Sequence, residues 1–267
     1  MITCYNNEVV VDSDKASSIE FNTRSHTHDD NQSIIWFSER RKRITSSNAR
    51  SIAKRKSTTP VARLVHQLLY SAFRGNSATR WGLQQEEISA SIYTWLHNRG
   101  SPTSIVNTQC GLVVCRAHPW LAATPDGWVS DPSVSPSQGL VEFKNPYSYR
   151  DLAVSDAVLS KKCECLTINN GRIELKRTHS YYYQTQIAMF CTRTKWCDFF
   201  PRTTVDFHCE RIPFNEFFCG GILPILRRFY ILAILPELTL KAKPIREPKD
   251  WVVEEAVFLQ EMTEFIS

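Results

Sequence analysis

The sequence predicts an α/β fold, a mixed central sheet flanked by helices, and three observations carry that expectation. Apolar residues recur at helical spacing in 61–73, 77–98 and 180–196. Short runs rich in Val, Ile and aromatics, bounded by Gly, Pro and Asn, fill 103–124, 139–143 and 197–214. The resulting order is helices, strands, a helix, then strands and a helix, which is the pattern of a sheet with helices packed on it.

At 267 residues the chain is long enough to bury one substantial core, so one domain with appendages is expected. Its formal charge of +5 is mildly basic, compatible with a polyanionic partner without identifying one. The nine cysteines are scattered and no secretory signal precedes them, so reduced thiols in an intracellular protein are expected. The most apolar stretch, 221–238, is interrupted by Pro224, Arg227, Arg228 and Pro236, and no membrane span is expected.

Residues 1–32 are polar and without periodicity and read as a flexible N-terminal arm. His26, His28, Asp29 and Asp30 lack partner cysteines or a helix to hold them, and a solvated tail outweighs a metal site there. Between Arg40 and Lys56 stand eight basic residues and no acid. Ser46, Ser47 and Asn48 are good N-cap residues for a helix stopped by Pro60. A helix N-terminus beside arginines suits phosphate; a solvated basic face or a nuclear-import signal is the plainer reading, which would place the protein in the nucleus of a eukaryotic host and otherwise in the cytoplasm. A helix follows Pro60, and another spans Ser77 to Asn98 with Leu83, Ile88, Ile92, Trp95 and Leu96 as its apolar positions. Of its acids Glu86 and Glu87, solvent exposure is the default, and one facing inward is the alternative. Past Pro146 a short helix capped near Ser148 is expected, then a hairpin on Asn170-Gly171, and a buried helix from Ser180 to Trp196 carrying Gln184. The charged tail from 239 to 267 regains helical spacing and reads as a C-terminal extension.

The chemistry concentrates between Trp120 and Pro146. Asp126 sits in a Pro-Asp-Gly turn, and sixteen positions later comes Glu142-Phe143-Lys144. On a strand, Glu142 and Lys144 share one face while Val141 and Phe143 share the other. Pairing of the run 121–124 with 139–143 would bring Asp126 beside Glu142. Two adjacent carboxylates repel unless a cation lies between them, and a hard divalent ion with oxygen ligands is the natural one. Lys144 then stands ready to polarise water and hold a phosphate.

RRKRITSS, RWGLQQEE, HPWLAATPDGWV, GLVEFKNPYS and YYYQTQIAMFCTRTKWCDFF resemble, in that order, the motifs of the YqaJ viral recombinase family of lambda-exonuclease-like nucleases, within the PD-(D/E)XK superfamily. The resemblance covers about residues 36–235 and implies a restriction-endonuclease-like nuclease domain over 33–238. It implies Mg2+, with Mn2+ as a substitute, held by Asp126, Glu142, the backbone carbonyl of Phe143, and Glu86. Lys144 corresponds to the water-activating lysine, and Gln184 to the glutamine that contacts the active centre. Arg40 and Ser47 correspond to residues that bind the substrate's phosphate end. The activity implied is 5′-to-3′ digestion of linear double-stranded DNA in recombination or repair. Such enzymes are often homotrimers and often accompanied by a single-strand annealing protein. Asn145 departs from the family's usual cysteine, a change expected in packing rather than chemistry. Whether one metal or two would bind is left open. Two rivals stand beside this reading: an iron–sulfur nuclease using Cys191, Cys197, Cys209 and Cys219, and a catalytically silent DNA-binding adaptor.

Overall fold

The computed structural model describes residues 1–25, 27, 30–56, 58–70, 75–100 and 104–240. The N-terminal stretch expected to be a flexible arm is folded. Helix α1 (Ile2–Cys4) runs into a π turn, Tyr5–Val9, and α2 (Ser13–Phe21) and α3 (Asp30–Arg41) follow. Asp12 caps α2 by accepting the Lys15 N–H at 2.8 Å. Sparse apolar residues suffice here because each one is placed: Val11 and Ile19 pack with Leu112, Val114 and Ala122, and the buried Thr23 hydroxyl accepts the Leu112 N–H at 2.7 Å. The α2 backbone lies so close that a Cβ on Gly111 would stand 1.7 Å from the Glu20 carbonyl oxygen. Of the cluster His26, His28, Asp29 and Asp30, the first three lie outside the described residues, as does the C-terminal extension beyond Leu240.

Next come β1 (Ile44–Thr45), a 3-10 turn at Ser46–Asn48, and the helices α4 (Ala49–Ala53), α5 (Val61–Leu69) and α6 (Ser77–Gly100). The expected caps are absent: neither Thr45 nor Asn48 makes a side-chain capping bond, and α4 is only five residues long. The basic run is not a solvated face throughout. Arg43 is buried, donating to the carbonyls of Pro119, Glu39 and Val9 and to the Glu39 carboxylate. In α6 the expected apolar face is only partly inward: Tyr93 is buried, whereas Leu83, Ile88 and Trp95 are exposed.

Strands β2 (Ile105–Asn107), β3 (Val113–Val114), β4 (Leu121–Ala123), β5 (Gly127–Ser130) and β6 (Gln138–Lys144) lead to α7 (Val154–Leu159). That helix begins after Ala153 rather than near Ser148. The β7 (Leu166–Asn169) and β8 (Arg172–Leu175) hairpin turns on Asn170 and Gly171, at φ +49° and +76°. Two successive positive φ values are what this turn requires. Helix α8 (Ser180–Thr192) stops at Arg193 in a left-handed conformation, so Trp196 opens β9 (Trp196–Pro201) instead of closing the helix. Then follow β10 (Glu210–Pro213), α9 (Glu216–Phe229), a second π turn at Tyr230–Ile234, and α10 (Leu235–Leu240).

The main sheet has the order β10-β9-β6-β5-β2, with β6 and β9 parallel and the other neighbours antiparallel. A smaller sheet, β1-β4-β3, lies apart from it. The expected partner of β6 is therefore corrected. Run 121–123 joins the small sheet, and β6 pairs with β5, residues 127–130, with Gly127 opposite Val141. Strand β6 divides two cores. Leu140 packs with α8 residues such as Ile187 and Met189, while Val141 and Phe143 pack with Tyr93 of α6 and with Phe200.

The apolar stretch expected to be broken by Pro224, Arg227, Arg228 and Pro236 is instead helical throughout. Glu216–Leu240 forms one continuous helical run of 25 residues, long and apolar enough by length and composition to cross a membrane. Neither proline interrupts it, because the π turn accommodates the missing donor of Pro236 and widens the helix locally. Its apolar side is packed on the core through Leu226, Tyr230, Ile234 and Leu235.

Candidate active site

The corner forms where β5 and β6 separate. Asp126 stands just before β5, and its Oδ2 accepts the backbone N–H of Phe143 at 2.8 Å. In a strand, N–H and C=O of one residue face the same edge, so the Phe143 carbonyl also points toward Asp126. Lys144 is held by the other edge, its carbonyl accepting the Arg202 N–H at 2.9 Å. Glu142 and Lys144 share the α8 face, as the strand alternation requires. The Lys144 Nζ and the Gln184 Nε2 both donate to Glu142 Oε1. Glu142 is buried and Lys144 nearly so, the two side chains being 3% and 19% exposed.

Glu86 reaches the corner from α6, half-buried, while Glu87 is exposed. Electrostatics register how close these acids are. Burial pushes the Glu86 carboxyl up to about 7, with the Asp126 charge adding to the shift and Lys144 opposing it. Glu142 is pushed up to about 8, again by burial first and Asp126 next, with Lys144 pulling the other way. Asp126 is raised by burial, against Lys144 and the Phe143 N–H. Burial draws the Lys144 ammonium down, but Glu142 and Asp126 outweigh it and hold it above the usual lysine range. Among the described residues, no three His, Cys, Asp or Glu side chains converge tightly enough to form a ready-made metal cage. The Glu142 carboxylate instead faces Lys144 and Gln184.

Arg40 and Ser47 are brought together where the 3-10 turn Ser46–Asn48 leads into α4, with no side-chain cap on either element. Arg40 Nη2 lies 3.5 Å from Ser47 Oγ and from Thr45 Oγ1, and its guanidinium stacks 4.1 Å over the Trp36 ring. Burial lowers Arg40 to about 10. Trp36 Nε1 donates to Thr124 Oγ1 at 3.0 Å, two residues before Asp126, which ties this cluster to the acidic corner.

Several contributors escaped sequence reasoning. Thr45 bridges Arg40 and Ser47, its hydroxyl 3.1 Å from Ser47 Oγ. Tyr181 lies with its ring under the Lys144 ammonium, 4.9 Å away; three consecutive tyrosines opening α8 were the available signal. Asn145, expected to alter packing, spans to α6: it accepts from Ser89 Oγ at 2.6 Å and donates to the Gly82 carbonyl at 3.4 Å. Of the cysteines of the iron–sulfur rival, Cys191, Cys197 and Cys219 are buried and Cys209 is exposed. All nine cysteines are free thiols, and among the described residues no group of three metal-ligating side chains includes them.

An acid at a turn, a Glu-x-Lys strand and a helix acid are thus gathered on a mixed sheet flanked by helices. The YqaJ-like viral recombinase domain model matches residues 35–195, well over half of the chain, and the chain belongs to that family. It is similar in fold to an alkaline exonuclease, LHK-Exo, from Laribacter hongkongensis, at 20% identity and a TM-score of 0.53 over 86% of this chain and 98% of that one. The LHK-Exo complex with dAMP gives a TM-score of 0.54 at the same identity and coverage. A SOX–DNA complex gives 0.50 at 13% identity, over 81% of this chain and 70% of that one. No curated protein matches the chain.

Proposed function

We propose that this chain is a metal-dependent deoxyribonuclease, acting as a 5′-to-3′ exonuclease on linear double-stranded DNA. The observation that carries this reading is Asp126, fastened to the Phe143 N–H, beside the buried Glu142 that Lys144 and Gln184 hold. Neighbouring buried carboxylates repel one another unless a hard divalent cation with oxygen ligands lies among them. The residues present therefore fit Mg2+, or Mn2+ in its place, on Asp126, Glu142, the Phe143 carbonyl and Glu86. When bound, such an ion supplies Lewis acidity toward a phosphate and lowers the pKa of water.

The chain's own part follows from geometry. Lys144, kept cationic by its acidic neighbours, sits where it stabilises negative charge developing on a phosphate. Gln184 and Lys144 hold the Glu142 carboxylate in one orientation. Arg40, Thr45 and Ser47 offer a cation and two hydroxyls for a terminal phosphate beside the corner. Support for a nucleic-acid substrate comes from family membership and from neighbours whose structures hold dAMP or DNA. A trimer in solution and an annealing partner belong to the same reading.

The test is digestion of linear duplex DNA labelled at the 5′ or the 3′ end, with Mg2+, with Mn2+ and with EDTA, beside a closed circle. Metal-dependent loss of the linear DNA, 5′ label first and circle spared, is expected. A cut circle would make the protein an endonuclease. Binding without cleavage would make it a silent adaptor.

A further inference from the structure

The strand end that carries Lys144 is stitched to the helix that carries Glu86, and a single side chain makes the join. Asn145 follows Lys144 directly, and its amide bonds the Gly82 carbonyl and Ser89 Oγ. Those residues stand four before and three after Glu86, which puts all three on one face of α6. Ser89 is fully buried. A second tie lies alongside: Arg202 donates its backbone N–H to the Lys144 carbonyl at 2.9 Å and its Nη1 to Gln85 Oε1 at 3.2 Å. A residue needed only for packing at position 145 would require neither a donor nor an acceptor. The amide supplies both, aimed at the two turns that flank Glu86.

We propose that Asn145 is a positioning residue for Glu86. By fixing α6 against the end of β6, it sets how far the Glu86 carboxylate stands from Asp126, and so how tightly the acidic corner binds a divalent cation. This rests on the metal-dependent reading above, but it concerns this chain's own geometry and does not require DNA cleavage. Asn145 touches neither substrate nor cation; it acts through Glu86.

The experiment measures Mn2+ binding by calorimetry on the DNA-free protein for wild type, N145A, S89A, E86Q and the double variant N145A/E86Q. Thermal melts and cleavage kinetics are run in parallel. N145A is expected to weaken Mn2+ binding roughly 10-fold, the scale seen for residues one step removed from a metal. S89A keeps the Asn145 bond to Gly82 and so disturbs folding least; it should shift binding in the same direction by a smaller factor. In the E86Q background, N145A should add less than about a twofold change, since coupled residues are non-additive. In cleavage, the N145A defect should shrink as Mg2+ is raised, with KM for DNA unchanged. Wild-type Mn2+ affinity in folded N145A and S89A would overturn the proposal, as would full multiplication of the two effects in the double variant. If wild type binds Mn2+ but cuts no DNA, the nuclease reading falls and the binding comparison still decides the role of Asn145. If wild type binds no Mn2+, both fall together.

Discussion

The backbone N–H of Phe143 donates to Asp126 Oδ2 at 2.8 Å, so the turn acid is fastened to the strand whose next side chains are Glu142 and Lys144. This bond orients the carboxylate without neutralising it, and its other oxygen stays available. Asp126→Ala should therefore abolish metal-dependent cleavage, by more than about 100-fold, since even residues one step removed from a metal cost 10–100-fold. Circular dichroism and the melting temperature should stay near wild type. Cleavage falling by less than about 10-fold would remove Asp126 from the site.

Among the described residues Lys144 is the one cation paired with Glu142, and the Tyr181 ring lies under its ammonium. Lys144→Ala should lower kcat by about 10²–10³-fold, the cost of losing one preorganised electrostatic group. DNA affinity measured in Ca2+ should change little. Full activity in that variant would exclude Lys144 from the mechanism.

The acidic corner makes stability depend on pH in the sense opposite to an ordinary ion pair. Glu86 and Glu142 are raised to about 7 and about 8 from a usual 4.5. Between those limits the folded chain binds more protons than the unfolded one, so metal-free stability falls as pH rises from about 4.5 to about 8. Urea midpoints in EDTA at pH 5.5, 7 and 8.5 should decline, with the decline reduced in Glu142→Gln. Cation binding should displace these protons, so affinity should climb over the same window. A midpoint that rises with pH in EDTA would contradict the arrangement of the three acids.

How far the sequence revealed this follows from where each relationship lies along the chain. Glu142 and Lys144 were legible because their shared face is fixed by strand alternation over two residues. The strand opposite was misassigned because 121–123 and 127–130 are both short and apolar, separated only by the Pro125-Asp126 turn. Arg43 looked like any cation of a basic run, because its acceptors at Pro119 and Val9 are 76 and 34 residues away. The Asn145–Ser89 bond spans 56 residues and leaves no local trace. The N-terminal helices were missed for a related reason: their few apolar residues pack on β3 and β4, so the polar average of the segment concealed its partner.

Arg43 gives a stability test free of any functional assumption. Its side chain is 0% exposed, against 12% for Glu39. Removing one partner of a buried, hydrogen-bonded pair typically costs about 3–5 kcal/mol; Glu39 would keep Lys42, so the loss falls mainly on the Pro119, Glu39 and Val9 carbonyls that Arg43 satisfies. Arg43→Ala should fall in that range by urea unfolding, whereas Lys54→Ala, on the same basic run, should stay within about 0.5 kcal/mol. Equal small losses in both would mean that the run is solvated after all.

The Arg40 cluster predicts a preference for one kind of DNA end. Arg40 is half-buried, desolvation lowers it to about 10, and among the described residues its guanidinium meets two hydroxyls at 3.5 Å and the Trp36 ring. Among the described residues no carboxylate pairs with it. A half-buried guanidinium held by weak, neutral partners gains strongly from an incoming dianion. Ser47 is exposed and has its hydroxyl at the open side of the cluster. Linear DNA with a 5′-phosphate should therefore be digested faster than the same DNA with a 5′-hydroxyl, and Arg40→Ala should erase most of that difference, with Ser47→Ala erasing part of it. The comparison is made as kcat/KM on the two substrates for each variant, because loss of one charge-assisted contact, about 1.5–3 kcal/mol, corresponds to roughly 10- to 150-fold. If Arg40→Ala slows both substrates alike, the cluster grips the backbone generally and does not read the end.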